Sequence, residues 1–296
     1  MSSPWFRLGR AQLATPEIRE VGKRWLERYS VEPLGNKAEV CFAIPLISAA
    51  RSRDWNMVQA LLRRTIHSLV SQSCGDWHAI ICSQDRPDAV DLDPRISFLP
   101  YDGNLREGQL SDKPPKFKKI IRSLIANRKR DGYVFTLDSD DIVHPGLVAH
   151  ILKRANPGGY IITRGYQLNL SNMQIAYRGF NKSRFSGTRP FHLVCGSCAA
   201  FRLDVREDNR YWEVLRTLGR HKDHVHTMAA FGLYMTRIPF PGAIYCVNHG
   251  ENLQLKRGQI NSKISYIRKR QLPDSERIKI LQEFGFQSFE ELPVSN

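Results

Sequence analysis

Asp131-Gly132-Tyr133-Val134-Phe135-Thr136-Leu137-Asp138-Ser139-Asp140-Asp141-Ile142-Val143-His144-Pro145 is the stretch whose reading decides the fold. After Gly132, residues 133–137 are an apolar, β-branched and aromatic run with the length of a buried strand. Asp138, Asp140 and Asp141 follow at once, and Pro145-Gly146 closes the loop. Carboxylates this close repel one another, and the repulsion is most readily tolerated with a divalent cation or strong donors between them. Asp-x-Asp on a sharp turn can point two oxygens the same way, which suits a hard cation that also holds substrate phosphates. The same acids would equally serve as a solvated turn that caps a helix beginning near Pro145. The strand before them favours the active-site reading.

Upstream, the spacing predicts a strand over 40–44 ending at Pro45, then a polar loop over 48–54 and a helix. Val58, Leu61, Leu62, Thr65, Ile66 and Leu69 form the buried stripe of that helix. Gly75-Asp76 turns the chain into a second strand over 77–82, with a polar exit loop over 83–87. Strand, helix, strand is a βαβ unit whose right-handed crossover puts both exits on one edge. A third strand over 96–99 follows, and Pro114-Pro115 precedes a helix with Ile120, Ile121, Leu124 and Ile125 inward. Ligands in open α/β sheets gather beyond the carboxyl ends of strands, so the loops after Ile44, Cys82 and Leu137 can share one cleft. The sequence has no glycine-rich phosphate loop or dinucleotide fingerprint.

Downstream, a helix over 147–155 ends at Pro157-Gly158-Gly159 and a strand over 160–163 follows. The polar segment to about 188 reads as a hairpin or a mobile loop beside the cleft, and 191–201 returns to strand character. His221, His224 and His226 lie in a dense titratable cluster before a helical pattern at 228–233; their spacing does not give the paired face of a zinc protease. A strand over 244–247 exits into Asn248-His249-Gly250-Glu251-Asn252, and a last helix over 275–284 has Ile278, Leu281 and Phe284 inward. Near the start, Thr15 caps, Pro16 fits the first helical position, and Ile18, Val21, Trp25, Leu26 and Tyr29 repeat at helical spacing. Its apolar face docks on the domain, on a membrane or on a partner subunit. The expected division is a helical extension over 1–37, a catalytic domain over 38–253 split at 145/146, and a basic helical extension over 254–296.

The 296 residues suffice for one large domain or two small ones. A net charge of +15 favours an anionic partner, although charge alone does not choose among nucleotides, acidic glycans, membrane or nucleic acid. Lys116, Lys118, Lys119, Arg122, Arg128, Lys129 and Arg130 fall in one segment, and 256–270 holds no acid. No apolar run reaches the ~20 residues that span a bilayer, and Arg7, Arg10, Glu17 and Arg19 interrupt any leader pattern, so a cytoplasmic protein is expected, with peripheral contact at the inner membrane face through its basic segments as an option. The six cysteines are scattered, and Cys195-x-x-Cys198 lacks the second pair of a zinc site, so packing rather than redox chemistry is expected of them.

Five segments then stand in a telling order: Ser68-Leu69-Val70-Ser71-Gln72 before Trp77; Leu137 to Val143 with Pro145; Ser197-Cys198-Ala199-Ala200-Phe201-Arg202; Lys222-Asp223; and His249-Gly250-Glu251-Asn252-Leu253. Together, across 40–253, they resemble glycosyltransferase family 2. That resemblance implies an α/β fold of GT-A type, a mostly parallel central sheet flanked by helices. A Rossmann-like nucleotide-binding half would be fused to an acceptor half, with helical N- and C-terminal extensions. Two departures stand out: Ser83-Gln84-Asp85 leaves Asp85 alone where the family shows a double acid, and Lys222 replaces the Glu of its Glu-Asp motif.

The resemblance implies inverting transfer of a sugar from a nucleotide-sugar donor to a glycan or lipid-linked acceptor, in cell-surface polysaccharide synthesis. It assigns Mn2+ or Mg2+ to Asp140, His249 and Asp138, and the donor to Pro45, Leu46, Arg51, Asp85, Lys116, Asp138 and Ser139. Arg53 is a further phosphate candidate beside Arg51. Asp223 is the expected catalytic base, with a helix cap as its plainer role. A binding protein for nucleic acid or anionic membrane would explain the charge but not the acids, so nucleic acid is not the expected partner. A metal-dependent nucleotidyltransferase shares the element order and the acids.

Overall fold

The computed structural model describes residues 9–31, 34, 38–103, 111–127, 131–179, 188–204, 210–251, 258 and 260–291. Strand β1 (Glu39–Pro45) is buried without a break from Val40 to Pro45, as a parallel strand covered on both faces requires. It pairs in parallel with β2 (Trp77–Ser83) on one side and β4 (Gly132–Thr136) on the other, and β3 (Ile96–Pro100) continues the parallel set beyond β2. Two crossover helices connect them, α1 being kept for the N-terminal helix Pro16–Arg28: α2 (Trp55–Val70) and α3 (Lys113–Asn127). The expected stripe of α2 is buried at all six positions. Gly132 opens β4 at φ +150, where a side chain would strike the carbonyl oxygen of Glu39 at 1.9 Å.

The loop after β4 leaves this sheet and enters a second one. It passes through β5 (Ile142–Val143), α4 (Leu147–Arg154), β6 (Tyr160–Ile161) and the hairpin of β7 (Gly165–Asn169) with β8 (Gln174–Arg178). The chain then returns as β9 (Ala199–Leu203), antiparallel between β4 and β6. After α5 (Arg210–Arg216) and α6 (His224–Ala230) come β10 (Thr236–Arg237) and β11 (Ala243–Val247). The large sheet has the order β10-β6-β9-β4-β1-β2-β3 and the small one β5-β11-β7-β8. The architecture is mixed α/β, with a seven-stranded, mostly parallel central sheet flanked by helices.

Both ends of the described chain are helical and packed. Thr15 Oγ1 accepts the N–H of Ile18 at the start of α1, and Trp25 is buried against Tyr211 and Phe231 at ring distances of 5.8 and 5.9 Å. The apolar face of α1 thus docks on the domain. At the other end, α7 (Ile260–Lys269) and α8 (Asp274–Glu283) cover the small sheet, where Ile280, Leu281, Phe284 and Phe286 meet Ile142, Leu168, Ile175 and Ile244. Ile278, expected inward, is instead 43% exposed. The face 277–280–281–284 turns inward, with Ile280, Leu281 and Phe284 buried and Arg277 donating to the Met173 carbonyl at 2.7 Å, which leaves Ile278 outside.

Other expectations are refined. The polar segment after 163 contains the β7–β8 hairpin, while 180–187 lies outside the described residues. The apolar run 191–201 divides into a tight turn, Phe191–Leu193, and the start of β9. Cys195 and Cys198 are both buried, reduced thiols, and burial pushes both well above the ordinary thiol range. No helix among the described residues is long and apolar enough to cross a membrane.

Gly22 decides how closely α1 approaches α6, because a side chain there would meet the Ala230 carbonyl oxygen at 2.3 Å. Gly22→Ala is expected to cost about 1–3 kcal/mol by overpacking, read as a lower urea midpoint with the same slope. An unchanged midpoint would show that α1 adds little to the fold.

Candidate active site at the exit of β4

The acids meet because of how the two sheets share one loop. β5 begins directly after Asp141, and β11 runs antiparallel to it with Ile244 opposite Ile142. The exit of β11 therefore returns to the acids. Asn248 turns the chain there at φ 62, held in that left-handed conformation by side-chain bonds to Asn169 Oδ1 at 3.0 Å and Ser171 Oγ at 2.8 Å. The next residue, His249, places Nε2 2.9 Å from Asp140 Oδ2.

The three carboxylates have different surroundings. Oxygens of Asp138, Asp140 and Asp141 lie within 4.8 Å of one another. Asp141 is fully buried: Oδ1 accepts the Cys246 N–H at 3.0 Å, and Oδ2 accepts Ser197 Oγ at 2.6 Å and Cys195 Sγ at 3.1 Å. Burial, with Asp140 and Asp138 close by, holds its carboxyl well above the usual carboxylate range. The side chains of Asp138 and Asp140 are 24% and 21% exposed, and Asp140 lines the cleft. Burial raises the Asp140 carboxyl, but His249, Lys113 and Arg64 outweigh it and leave the net shift downward. A pair of partly exposed carboxylates fits a hard divalent cation, which takes oxygen ligands. Asp141 is the brace beneath them. His249 grips Asp140 and stands outside the group of three that could share an ion.

A polar stripe on α2 holds this loop from behind. Arg64, only 3% exposed, donates from Nη2 to the carbonyl of Asp140, while its Nε and Nη1 are buried without a hydrogen-bond partner. The Thr65 hydroxyl faces the carbonyls of Ser139 at 3.0 Å and Asp141 at 2.8 Å. Ser68 Oγ accepts the Val143 N–H, and Gln72 donates to the His144 carbonyl and accepts the Val148 N–H. On the other flank, the Asp138 N–H donates to Ser197 Oγ at 2.9 Å, and that hydroxyl donates in turn to Asp141. Ser68, Gln72 and Ser197 thus act on the backbone that aims the acids.

A cleft open to solvent lies beside Asp140 and is lined by Pro45, Arg51, Lys113, Ser139, Asp140 and His249 among others. Lys116 departs from expectation. It is fully buried, bonded to the Leu46 carbonyl and paired with Asp112 at 2.8 Å, because its position on α3 faces the sheet. Lys113, one turn earlier, is the cation on the cleft wall, 3.0 Å from Asp138 Oδ1. Arg51 reaches Asp112 at 3.4 Å from the loop after β1. Leu46 is buried beside that loop, and Asp85 accepts the Ala49 N–H at 2.7 Å, so Asp85 braces the loop over 46–52. The Arg53 and Asp54 amides donate to Glu251, which ties the exits of β1 and β11 together across the cleft.

Asp223 ends the tight turn His221–Asp223 ahead of α6, makes no side-chain cap bond, and lies 3.1 Å from Arg220 Nε with its side chain 45% exposed. It is not among the residues lining the cleft. Its neighbour His221 is linked to the site, with Nδ1 2.6 Å from the His192 carbonyl. Lys113 and Arg64 were missed because a charged residue on a helix ordinarily faces solvent. Arg64, set between the buried positions Leu61 and Thr65, carried the only readable signal.

No protein-family model and no curated protein matches this sequence. Among solved structures, one from Desulfovibrio desulfuricans G20, provisionally named a nucleotide-diphospho-sugar transferase, aligns with 78% of this chain and 98% of its own at 12% identity and a TM-score of 0.35.

Burial pulls His192 down to about 4 and His224 to about 3, with His221 adding repulsion to both. Each stays neutral while folded and gains a proton on unfolding below the ordinary value of 6.5. Their stabilisation is present above that value and is lost as pH falls towards the folded values. Urea midpoints should drop between pH 7 and 5, and His224→Leu should flatten the slope by about 1–2 kcal/mol. A variant with the wild-type slope would contradict this.

Proposed function

We propose that this protein is a metal-dependent, inverting glycosyltransferase that moves a sugar from a nucleotide-sugar donor to a glycan or lipid-linked acceptor. The carrying observation is the pair of partly exposed carboxylates Asp138 and Asp140 at the carboxyl edge of a mostly parallel sheet, with Asp140 lining a cleft and the buried Asp141 bracing them. The loop that carries these carboxylates is fixed by an antiparallel strand, a buried arginine and a serine hydroxyl.

Breaking a sugar–phosphate bond leaves negative charge on a nucleoside diphosphate. Mn2+ or Mg2+ held by Asp138 and Asp140 would offset that charge as it develops. The chain's own contribution is Lys113 and Arg51 on the cleft wall, placed to pair with phosphate oxygens. Pro45 and Ser139 line the same cleft and would border the donor. His249 orients Asp140, and Asp85 and Leu46 act indirectly by shaping the loop that carries Arg51. Asp223 is proposed to take the proton of the acceptor hydroxyl as it attacks the anomeric carbon from the face opposite the leaving diphosphate.

The two acids have separable roles. Asp140→Ala should abolish Mn2+-dependent binding of nucleoside diphosphates in calorimetry. Asp223→Asn should keep that binding while transfer from a panel of nucleotide sugars falls by about 10²–10⁴-fold. Wild-type binding in Asp140→Ala would remove the metal assignment, and retained transfer in Asp223→Asn would remove the base.

A further inference from the structure

Large apolar side chains left in solvent gather at one end of this protein. Six stand exposed among the described residues, and three of them, Leu13, Leu26 and Val31, belong to the N-terminal extension at 69%, 47% and 38% exposure. The domain has already taken the inner face of α1: Ala14 and Trp25 are buried, and Ile18, Val21 and Tyr29 pack against the core. Leu13, Leu26 and Val31 are what remains outside.

Leu26 lines a shallow groove with Ala11, Gln12, Arg19, Lys23 and Ala230. Arg19 Nη1 donates to the Gln12 carbonyl at 2.6 Å, which ties the turn over 10–14 to α1, and Leu13 comes next after Gln12. Arg19 and Lys23, one turn apart on α1, set two exposed cations beside this apolar surface, against one acid of the same lining, Glu27. Upstream, the sequence over 1–16 contains Trp5, Phe6, Leu8, Arg7 and Arg10 and no Asp or Glu. Bulky apolar and aromatic residues mixed with Arg and Lys suit a segment that lies in a bilayer interface. A second copy of the chain fits less well, because each copy carries +15 and the two would repel.

We propose that this surface, with Leu13 and Leu26 as its apolar contacts and Arg19 and Lys23 as its cations, rests on an anionic bilayer. The leucines enter the headgroup boundary, and the cations pair with lipid phosphates. The contact stands apart from the transferase reading and needs none of its residues. Where both hold, the bilayer lies at the Ala230 end of α6, a seven-residue helix whose other end is capped by Asp223. A lipid-linked acceptor would then have about 10 Å of helix to cover between membrane and base.

The test is co-sedimentation of the full-length chain with vesicles of pure phosphatidylcholine and of equimolar phosphatidylcholine and phosphatidylglycerol. Wild type should bind the anionic vesicles saturably, and the neutral ones about tenfold more weakly or less. Leu13→Ser/Lys23→Glu should weaken anionic binding about tenfold. Ile278→Ser/Lys279→Glu makes the same two changes on exposed residues of α8 and should bind as wild type does. Urea midpoints check that the variants fold, and Lys23→Glu alone, a change of one exposed side chain, should still lose about threefold. No binding to anionic vesicles overturns the proposal, and so does an equal loss in both double variants, which would reduce the contact to diffuse charge. Sedimentation equilibrium on the same chains supplies the last arm: a wild-type dimer that Leu13→Ser/Lys23→Glu abolishes, without vesicle binding, would give the surface to a second copy instead.

Discussion

Three carboxylates gathered within 4.8 Å at the end of a buried strand are a standing electrostatic cost, and the rest of the site is arranged to offset it. Asp141 is taken out of the repulsion by burial and three donors. Asp140 is held by His249 and, through its carbonyl, by Arg64, and Asp138 by Lys113. These partners come from four places in the chain: α2, α3, the segment before β9, and β11 with its exit. The second sheet follows from the same need, since β5 must leave the acids and β11 must return to them for His249 to reach Asp140.

This arrangement divides labour among residues that look alike in the sequence. Asp138 and Asp140 are partly exposed, whereas Asp141, next after Asp140, faces the interior and fixes the loop. Lys113 and Lys116 show the same split on α3: a single turn separates a cleft cation from a buried one committed to Asp112 and Leu46. In both cases the depth of the side chain, more than its chemical type, decides the role.

The layered fold was legible because its signals are local. The unbroken apolar run of β1, the stripe of α2 and the strand before the acids each declare themselves within a few residues. What could not be read depends on long-range register. Ser68 and Gln72 stand out as part of a resemblance, but only the packing of α2 against residues 143–148 shows that they hold that backbone. Arg64 was hidden because a buried arginine in an amphipathic helix contradicts the usual pattern. Ile278 was misplaced because the rotation of α8 is set by which residues pack on the small sheet, Ile280, Leu281 and Phe284, and that depends on contacts distant in sequence. The order of the strands, with β9 antiparallel beside β4, likewise has no local signature.

The central claim is that Asp138 and Asp140 bind a divalent cation together with a nucleoside diphosphate. A thermal-shift screen of nucleoside diphosphates on the wild-type chain, with and without Mn2+, tests it most directly. The account predicts a rise in Tm that needs both components together, since ligands that bind only the folded state stabilise it by mass action. No rise with any nucleotide, or the same rise without metal, would contradict it.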